Sequence, residues 1–227
     1  MGAQSSARPA TDAPVEQGDS LIEEIANTIT HGVGAVLAIA GLVVLLVVAA
    51  IDGSVQALVC AGIYGGSLVV LYLASTLYHA VQRERWKRAF LALDHIGIFL
   101  LIAGTYTPFT LISMGGAVGW TLFVLIWTLA MAGILFRLYD RHRADRLSVP
   151  LYLAMGWLVV IAGGELWGAL GPGGVVWLVV GGVTYTLGVI FFVWRSLPFN
   201  HAVWHLFVLG GSACHFVAVM RYVIMPG

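Results

Sequence analysis

Residues 32–51 read GVGAVLAIAGLVVLLVVAAI, twenty consecutive apolar or small residues without one charged or hydrogen-bonding side chain. An α-helix rises about 1.5 Å per residue, so twenty residues extend over about 30 Å. That length matches the hydrocarbon core of a bilayer, which is about 30 Å thick. The run therefore predicts a helix that spans a membrane.

Six further apolar stretches of similar length follow, each joined to the next by a short connection. The seven predicted spans cover residues 32–51, 55–79, 90–112, 117–138, 149–168, 174–194 and 202–224. Short connections favour antiparallel helices that pack beside their neighbours in sequence. The predicted fold is an all-α membrane protein, a bundle of seven transmembrane helices.

The composition of the whole chain agrees with this fold class. Of its 227 residues, 60% are hydrophobic and 10% are charged, whereas soluble domains carry about 25% charged residues. The net charge of zero gives no electrostatic attraction for nucleic acids. The two cysteines, Cys60 and Cys214, form neither a disulfide framework nor a CxxC metal pair.

Lysine and arginine predict the orientation, because cytoplasmic loops are enriched in both. Ten of the eleven basic residues fall on one side of a seven-span bundle: Arg8, Arg83, Arg85, Lys87, Arg88, Arg137, Arg141, Arg143, Arg146 and Arg195. Only Arg221 falls on the other side. We therefore predict a multi-pass protein of the cell (inner) membrane, with a cytoplasmic N-terminus and the C-terminus outside.

The chain is predicted to form one domain, residues 20–227, behind a disordered cytoplasmic tail, residues 1–19. The tail is polar and lacks an apolar core. Ser20 and Glu23 have the spacing of a capping box, which marks the start of a helix. Leu21, Ile22 and Ile25 give this helix an apolar side, as in a short amphipathic helix on a membrane surface.

Ionisable residues inside the predicted spans mark candidate functional positions, because burying them in a membrane is costly. His79 ends the second span, Asp94 and His95 lie early in the third, and His201 and His205 open the seventh. Although these helices alternate in direction, the predicted orientation places all five residues near the cytoplasmic side. They would lie within about two helical turns of that interface.

The spacing of these residues is compatible with a metal site. His201 and His205 are four residues apart, so both imidazoles lie on one face of a helix, and Ser75 and His79 repeat that spacing. Three neutral imidazoles bind zinc and leave a fourth position open for water, as in catalytic zinc sites. Asp94 could orient a histidine or hydrogen-bond that water, and Ser75 could do the same or touch the substrate.

The alternative is that these histidines are packed polar residues near the membrane interface. An HxxxH pair on its own arises in many helices and is a weak signal. The combination of HxxxH, SxxxH and an aspartate at one depth is more specific than any of its parts.

Five segments of the sequence resemble one known family. They are EEIANTITHG at 23–32, STLYH at 75–79, LDHIGI at 93–98, AGTYTP at 103–108 and HAVWH at 201–205. These segments look like the bacterial hemolysin III proteins, which belong with the progestin and adipoQ receptors, including the adiponectin receptors. The resemblance runs in order from Glu23 through nearly the whole chain.

The resemblance implies a seven-helix bundle in which His79, His201 and His205 hold Zn2+, with Asp94 and Ser75 beside the metal. It also implies two functions. The first is a zinc-dependent hydrolase of lipid amides such as ceramide, in which Asp94 shuttles the proton and the acyl chain lies among the helices. The second is a non-catalytic sensor of membrane lipid composition with a structural zinc. The expected partners are membrane lipids, including an N-acyl lipid or a free fatty acid.

The remaining polar residues are expected to lie outside the metal site. His31, at the entry of the first span, is assigned a structural role, and His95 points about 100° away from Asp94 on its helix. His215 and Glu165 fall toward the outer side. A retinal protein is excluded because its Schiff base needs a lysine inside a helix. The only lysine, Lys87, lies in a predicted loop.

Overall fold

The computed structural model describes residues 20–225. The predicted tail, residues 1–19, and the last two residues of the predicted domain lie outside these described residues. Within residues 20–225, seven α-helices follow one another: α1 (Leu21–Asp52), α2 (Val55–Ala80), α3 (Glu84–Pro108), α4 (Gly116–Tyr139), α5 (Arg141–Trp157), α6 (Gly163–Val193) and α7 (Asn200–Val219). π-Helical turns extend α3 (Phe109–Met114) and α7 (Met220–Ile224), and a 3-10 segment (Leu158–Ala162) joins α5 to α6.

The predicted capping box is present at the start of α1. The Ser20 hydroxyl accepts a hydrogen bond from the Glu23 backbone N–H, and the Glu23 carboxylate accepts one from the Ser20 backbone N–H at 2.9 Å. The capped turn does not form the separate surface helix that the sequence suggested, because it continues without a break to Asp52. Thr28 and Thr30 donate to backbone carbonyls one turn earlier, so both are accommodated within the helix.

Six helical segments of residues 20–225 are long and apolar enough to cross a membrane, one fewer than the seven predicted spans. The difference arises in one 53-residue segment, Arg141–Val193, which would extend over about 80 Å if it were straight. The backbone is not helical at Gly171 (φ 62°, ψ −179°), which is followed by Pro172.

The chain doubles back within this segment. The Trp157 indole donates a hydrogen bond of 3.0 Å to the Thr186 hydroxyl. In a straight helix these two residues, 29 positions apart, would be separated by about 44 Å. The part of α6 after Gly171 therefore runs back alongside α5 and the 3-10 segment.

The helix packing brings the end of α2 beside the start of α7. α2 packs along α1 on one side and along α3 on the other, and α7 packs along α6 and reaches α1. Gly104 of α3 lies so close to Ser67 of α2 that an added Cβ would collide with the serine side chain. Tyr72 of α2 donates a hydrogen bond of 2.7 Å to Ser212 of α7. Large apolar side chains remain exposed around the bundle, as expected for helices that face lipid.

Candidate metal centre

Three histidines converge at the end of the bundle where α2 finishes and α7 begins. His79 occupies the last turn of α2, and His201 and His205 occupy the first two turns of α7. A ligand nitrogen from each ring lies within 4.8 Å of the other two. His79 and His205 are buried and His201 is half-buried. The structure thus brings together the three residues that were predicted as metal ligands.

The donor set fits a metal ion. The three ring centroids are 4.6–5.2 Å apart, close enough for one ion to draw the nitrogens into its coordination sphere. Zinc accepts imidazole nitrogen at about 2.0–2.1 Å. Within residues 20–225, the group whose ligand atoms converge consists of these three histidines. Asp94 is not a member of this group.

Two of the imidazoles are held through Nδ1 by residues of α1. The Nδ1 atom of His79 lies 2.6 Å from a carboxylate oxygen of Glu24, and that of His205 lies 3.0 Å from the Thr30 hydroxyl. The other carboxylate oxygen of Glu24 accepts a hydrogen bond of 2.6 Å from Lys87. Because these contacts use Nδ1, Nε2 is the nitrogen of each ring that would bind a metal ion.

Ser75 and Asp94 lie together beside the histidines. The hydroxyl of Ser75, fully buried, is 2.7 Å from Nδ1 of His31, and the Asp94 carboxyl group is close enough to Ser75 to interact with it. The ring of His31 stacks on that of His205, with centroids 3.4 Å apart and an interplanar angle of 14°. His31 is therefore part of this cluster, which the sequence did not establish.

The other polar residues that were expected outside the site make contacts of their own or lie at the surface. The His95 ring donates to the Leu91 carbonyl one turn earlier, at 2.8 Å. His215 contacts the Leu178 carbonyl at 3.2 Å, and its position on α7 is ten residues, or about 15 Å, beyond that of His205. Glu165 is exposed.

Sequence reasoning missed the roles of Glu24 and Thr30, and the burial of Arg137. Glu24, Asn27 and His31 have the spacing that aligns residues on one helical face, and this inward-facing polar stripe was the available signal. Arg137, whose side chain is 5% exposed, pairs with Asp145 at 2.8 Å. In the predicted orientation, Arg137 is only one of the ten basic residues on the cytoplasmic side, although it lies inside the predicted span 117–138.

A cavity of about 240 Å³ opens beside His79. It is bordered by Glu24, His79 and other residues from the start of α1 and the end of α2: Leu21, Ile25, Thr28, Ile29, Ala80 and Gln82. Three apolar residues on this border are largely exposed: Leu21, Ile25 and Ile29. The apolar edge of the cavity therefore faces outward from the bundle. An apolar molecule in the membrane could approach His79 by this route.

Comparison with known proteins identifies relatives that cover nearly the whole chain. A family model described as "Haemolysin-III related" matches residues 20–216. The chain is 49% identical over 202 residues to Hemolysin-3 of Bacillus cereus, covering 89% of this chain and 92% of that protein. It is 46% identical to the Hemolysin-3 homolog of Bacillus subtilis, covering 89% and 95%. The human monocyte to macrophage differentiation factor is 30% identical over 212 residues, with 88% and 84% covered.

Proposed function

This chain belongs to the haemolysin-III related family of integral membrane proteins, and we propose that it is a zinc-dependent hydrolase of lipid amides. The observation that carries the proposal is the convergence of three imidazoles beside a serine and an aspartate at one end of an apolar helical bundle. The proposed substrate is an N-acyl lipid of the ceramide type. This substrate class comes from the resemblance to adiponectin receptors, and the cavity beside His79 is compatible with it.

Zinc is the proposed ion because the donor set is three imidazole nitrogens. Catalytic zinc sites use three protein ligands and keep one position open, whereas structural sites are closed by four. When bound, zinc polarises a carbonyl oxygen and lowers the pKa of a coordinated water toward about 7.

Asp94 is proposed to carry the proton. An ionised carboxylate can only accept hydrogen bonds, so Ser75 would donate to Asp94 and accept from Nδ1 of His31. These two hydrogen bonds would hold the Asp94 carboxylate in one orientation beside the metal ligands. Asp94 would take a proton from the attacking water and return it to the nitrogen of the leaving amine, which is general acid–base catalysis by one group.

The proposed topology has seven crossings, with the metal centre at the cytoplasmic side. The reversal within Arg141–Val193 supports two crossings by that segment. Ten of the eleven basic residues then fall on one side, which predicts a cytoplasmic N-terminus and an outer C-terminus. Residues 20–227 would form one domain of an inner-membrane protein, with the preceding tail in the cytoplasm.

We expect cysteine labelling to distinguish this topology from a six-crossing one. In a chain with Cys60 and Cys214 replaced by alanine, Ala117→Cys and Ser196→Cys each introduce one exposed thiol. Seven crossings with a cytoplasmic N-terminus place Ala117 outside and Ser196 inside. A membrane-impermeant maleimide added to intact cells should therefore modify only the first variant. Six crossings would place both thiols on one side, and modification of both would contradict the proposal.

The hydrolase proposal is tested by fatty-acid release from defined lipids. Purified protein loaded with zinc is incubated with ceramide and a panel of other N-acyl lipids, and free fatty acid is measured against metal-depleted protein. We expect zinc-dependent release from at least one lipid of the panel. Equal background release from both preparations across the panel would refute the enzymatic function.

The second candidate is a lipid sensor in which zinc clamps the bundle without catalysis. It is favoured by the origin of the ligands, since an ion held by His79 and His205 would tie α2 to α7. Zinc binding without hydrolysis in the lipid panel is the result expected of this alternative.

A further inference from the structure

We propose that the first turns of α1, which supply no ligand to the histidine cluster, determine how tightly that cluster binds its metal. This inference rests on the proposed zinc site and deepens it. Contacts from α1 reach the rings of His79 and His205 and the backbone of Phe199, two residues before His201. They fall on one face of the helix, whereas Leu21, Ile22, Ile25 and Ile29 on other faces are largely exposed.

Glu24 fixes the protonation of His79. The carboxylate oxygen 2.6 Å from Nδ1 can only accept a hydrogen bond when ionised, so the ring carries its proton on Nδ1. The lone pair of the neutral ring is then on Nε2, in the form that binds a metal. Lys87, 2.6 Å from the second carboxylate oxygen, balances the negative charge and ties this arrangement to the start of α3.

Thr30 does the same for His205. Its hydroxyl is within hydrogen-bond distance of two backbone carbonyls, those of Ala26 at 2.9 Å and Asn27 at 3.0 Å. Because the single hydroxyl hydrogen is directed to a carbonyl, the oxygen accepts from Nδ1 of His205. The lone pair of His205 is therefore also on Nε2.

Glu23 secures the segment that carries His201. Its carboxylate accepts a hydrogen bond of 3.0 Å from the backbone N–H of Phe199, the residue immediately before α7. Phe199 has a left-handed backbone (φ 57°), a conformation that is costly for a residue other than glycine. A carboxylate at a helix N-terminus is also favoured by the helix dipole. Glu23 thus stabilises the strained start of α7, two residues before His201.

Carboxylate and hydroxyl groups that hold a metal-binding histidine typically contribute about 10–100-fold to metal affinity. We therefore expect Glu24→Gln and Thr30→Val to weaken zinc binding by about that factor, and Glu23→Gln to weaken it to a smaller extent. Glutamine retains the size of glutamate, and valine that of threonine, so the helical fold should persist. Circular dichroism of each purified variant checks this.

Two matched variants serve as controls. Thr121→Val removes an exposed hydroxyl from α4 that donates to the Ala117 carbonyl one turn earlier. Glu84→Gln removes a carboxylate from the start of α3 that is 80% exposed and pairs with Arg88. Both should bind zinc as tightly as the wild type.

The measurement is the zinc dissociation constant of full-length, demetallated protein, obtained by competition with a chromophoric chelator. Weaker binding by Glu24→Gln and Thr30→Val, with wild-type affinity in both controls, is the expected result. If these two variants match the controls while His205→Ala has lost zinc, the inference is wrong and the metal site stands. If the wild type itself binds no zinc, both the proposed metal site and this inference are wrong.

Discussion

His205→Ala is expected to abolish stoichiometric zinc binding. The ring is buried, approaches both other histidines and is held by Thr30, so its loss leaves two nitrogen ligands and a vacant volume. The affinity should fall by more than the roughly 100-fold that follows loss of a group that merely hydrogen-bonds a ligand. Metal analysis of purified protein should find near one zinc per wild-type chain and about one tenth of that or less in the variant.

His215→Ala is the matched control for this experiment. It removes another imidazole from α7. That ring lies further along the helix than His205 and contacts the Leu178 carbonyl of α6. Its zinc content should equal that of the wild type. If His205→Ala retains a full complement of zinc, these histidines do not form the binding site.

Asp94→Asn is expected to suppress hydrolysis while zinc remains bound. Asparagine has nearly the same shape as aspartate but does not exchange a proton, so a rate loss of about 10²–10⁴-fold follows if Asp94 is the acid–base group. Zinc should be retained, because the Asp94 carboxylate is not among the ligand atoms that converge in the described part of the chain. The measurement pairs fatty-acid release with metal content in the same preparation.

Two outcomes would contradict this role of Asp94. Unchanged hydrolysis would show that another group moves the proton, and a parallel loss of zinc would show that Asp94 binds the ion. Glu84→Gln, an exposed carboxylate on the same helix, controls for a general effect of charge.

The helices themselves were largely predictable, because the length of an apolar run is a property of the sequence. The predicted spans 55–79 and 117–138 nearly coincide with α2 and α4. The first was predicted too short: its apolar run starts at Gly32, whereas α1 starts eleven residues earlier at Leu21. Polar residues between these positions, such as Glu24 and His31, contact side chains of α2. Hydropathy along one helix does not detect such contacts with another.

The convergence of His79 with His201 and His205 was also predictable, since the direction of each helix sets the depth of its residues. Contacts between helices were not. Whether Glu24 meets His79, or His31 stacks on His205, depends on how each helix is rotated about its axis. Neighbouring side chains throughout the bundle set that rotation, and no spacing within one helix determines it.

The zinc K-edge X-ray absorption spectrum of the purified wild-type protein tests the central claim most directly. The claim predicts bound zinc with a shell of about three imidazole nitrogens at about 2.0–2.1 Å and one further light atom. Protein that contains no zinc, or zinc whose spectrum lacks imidazole or shows sulfur ligands, would contradict it.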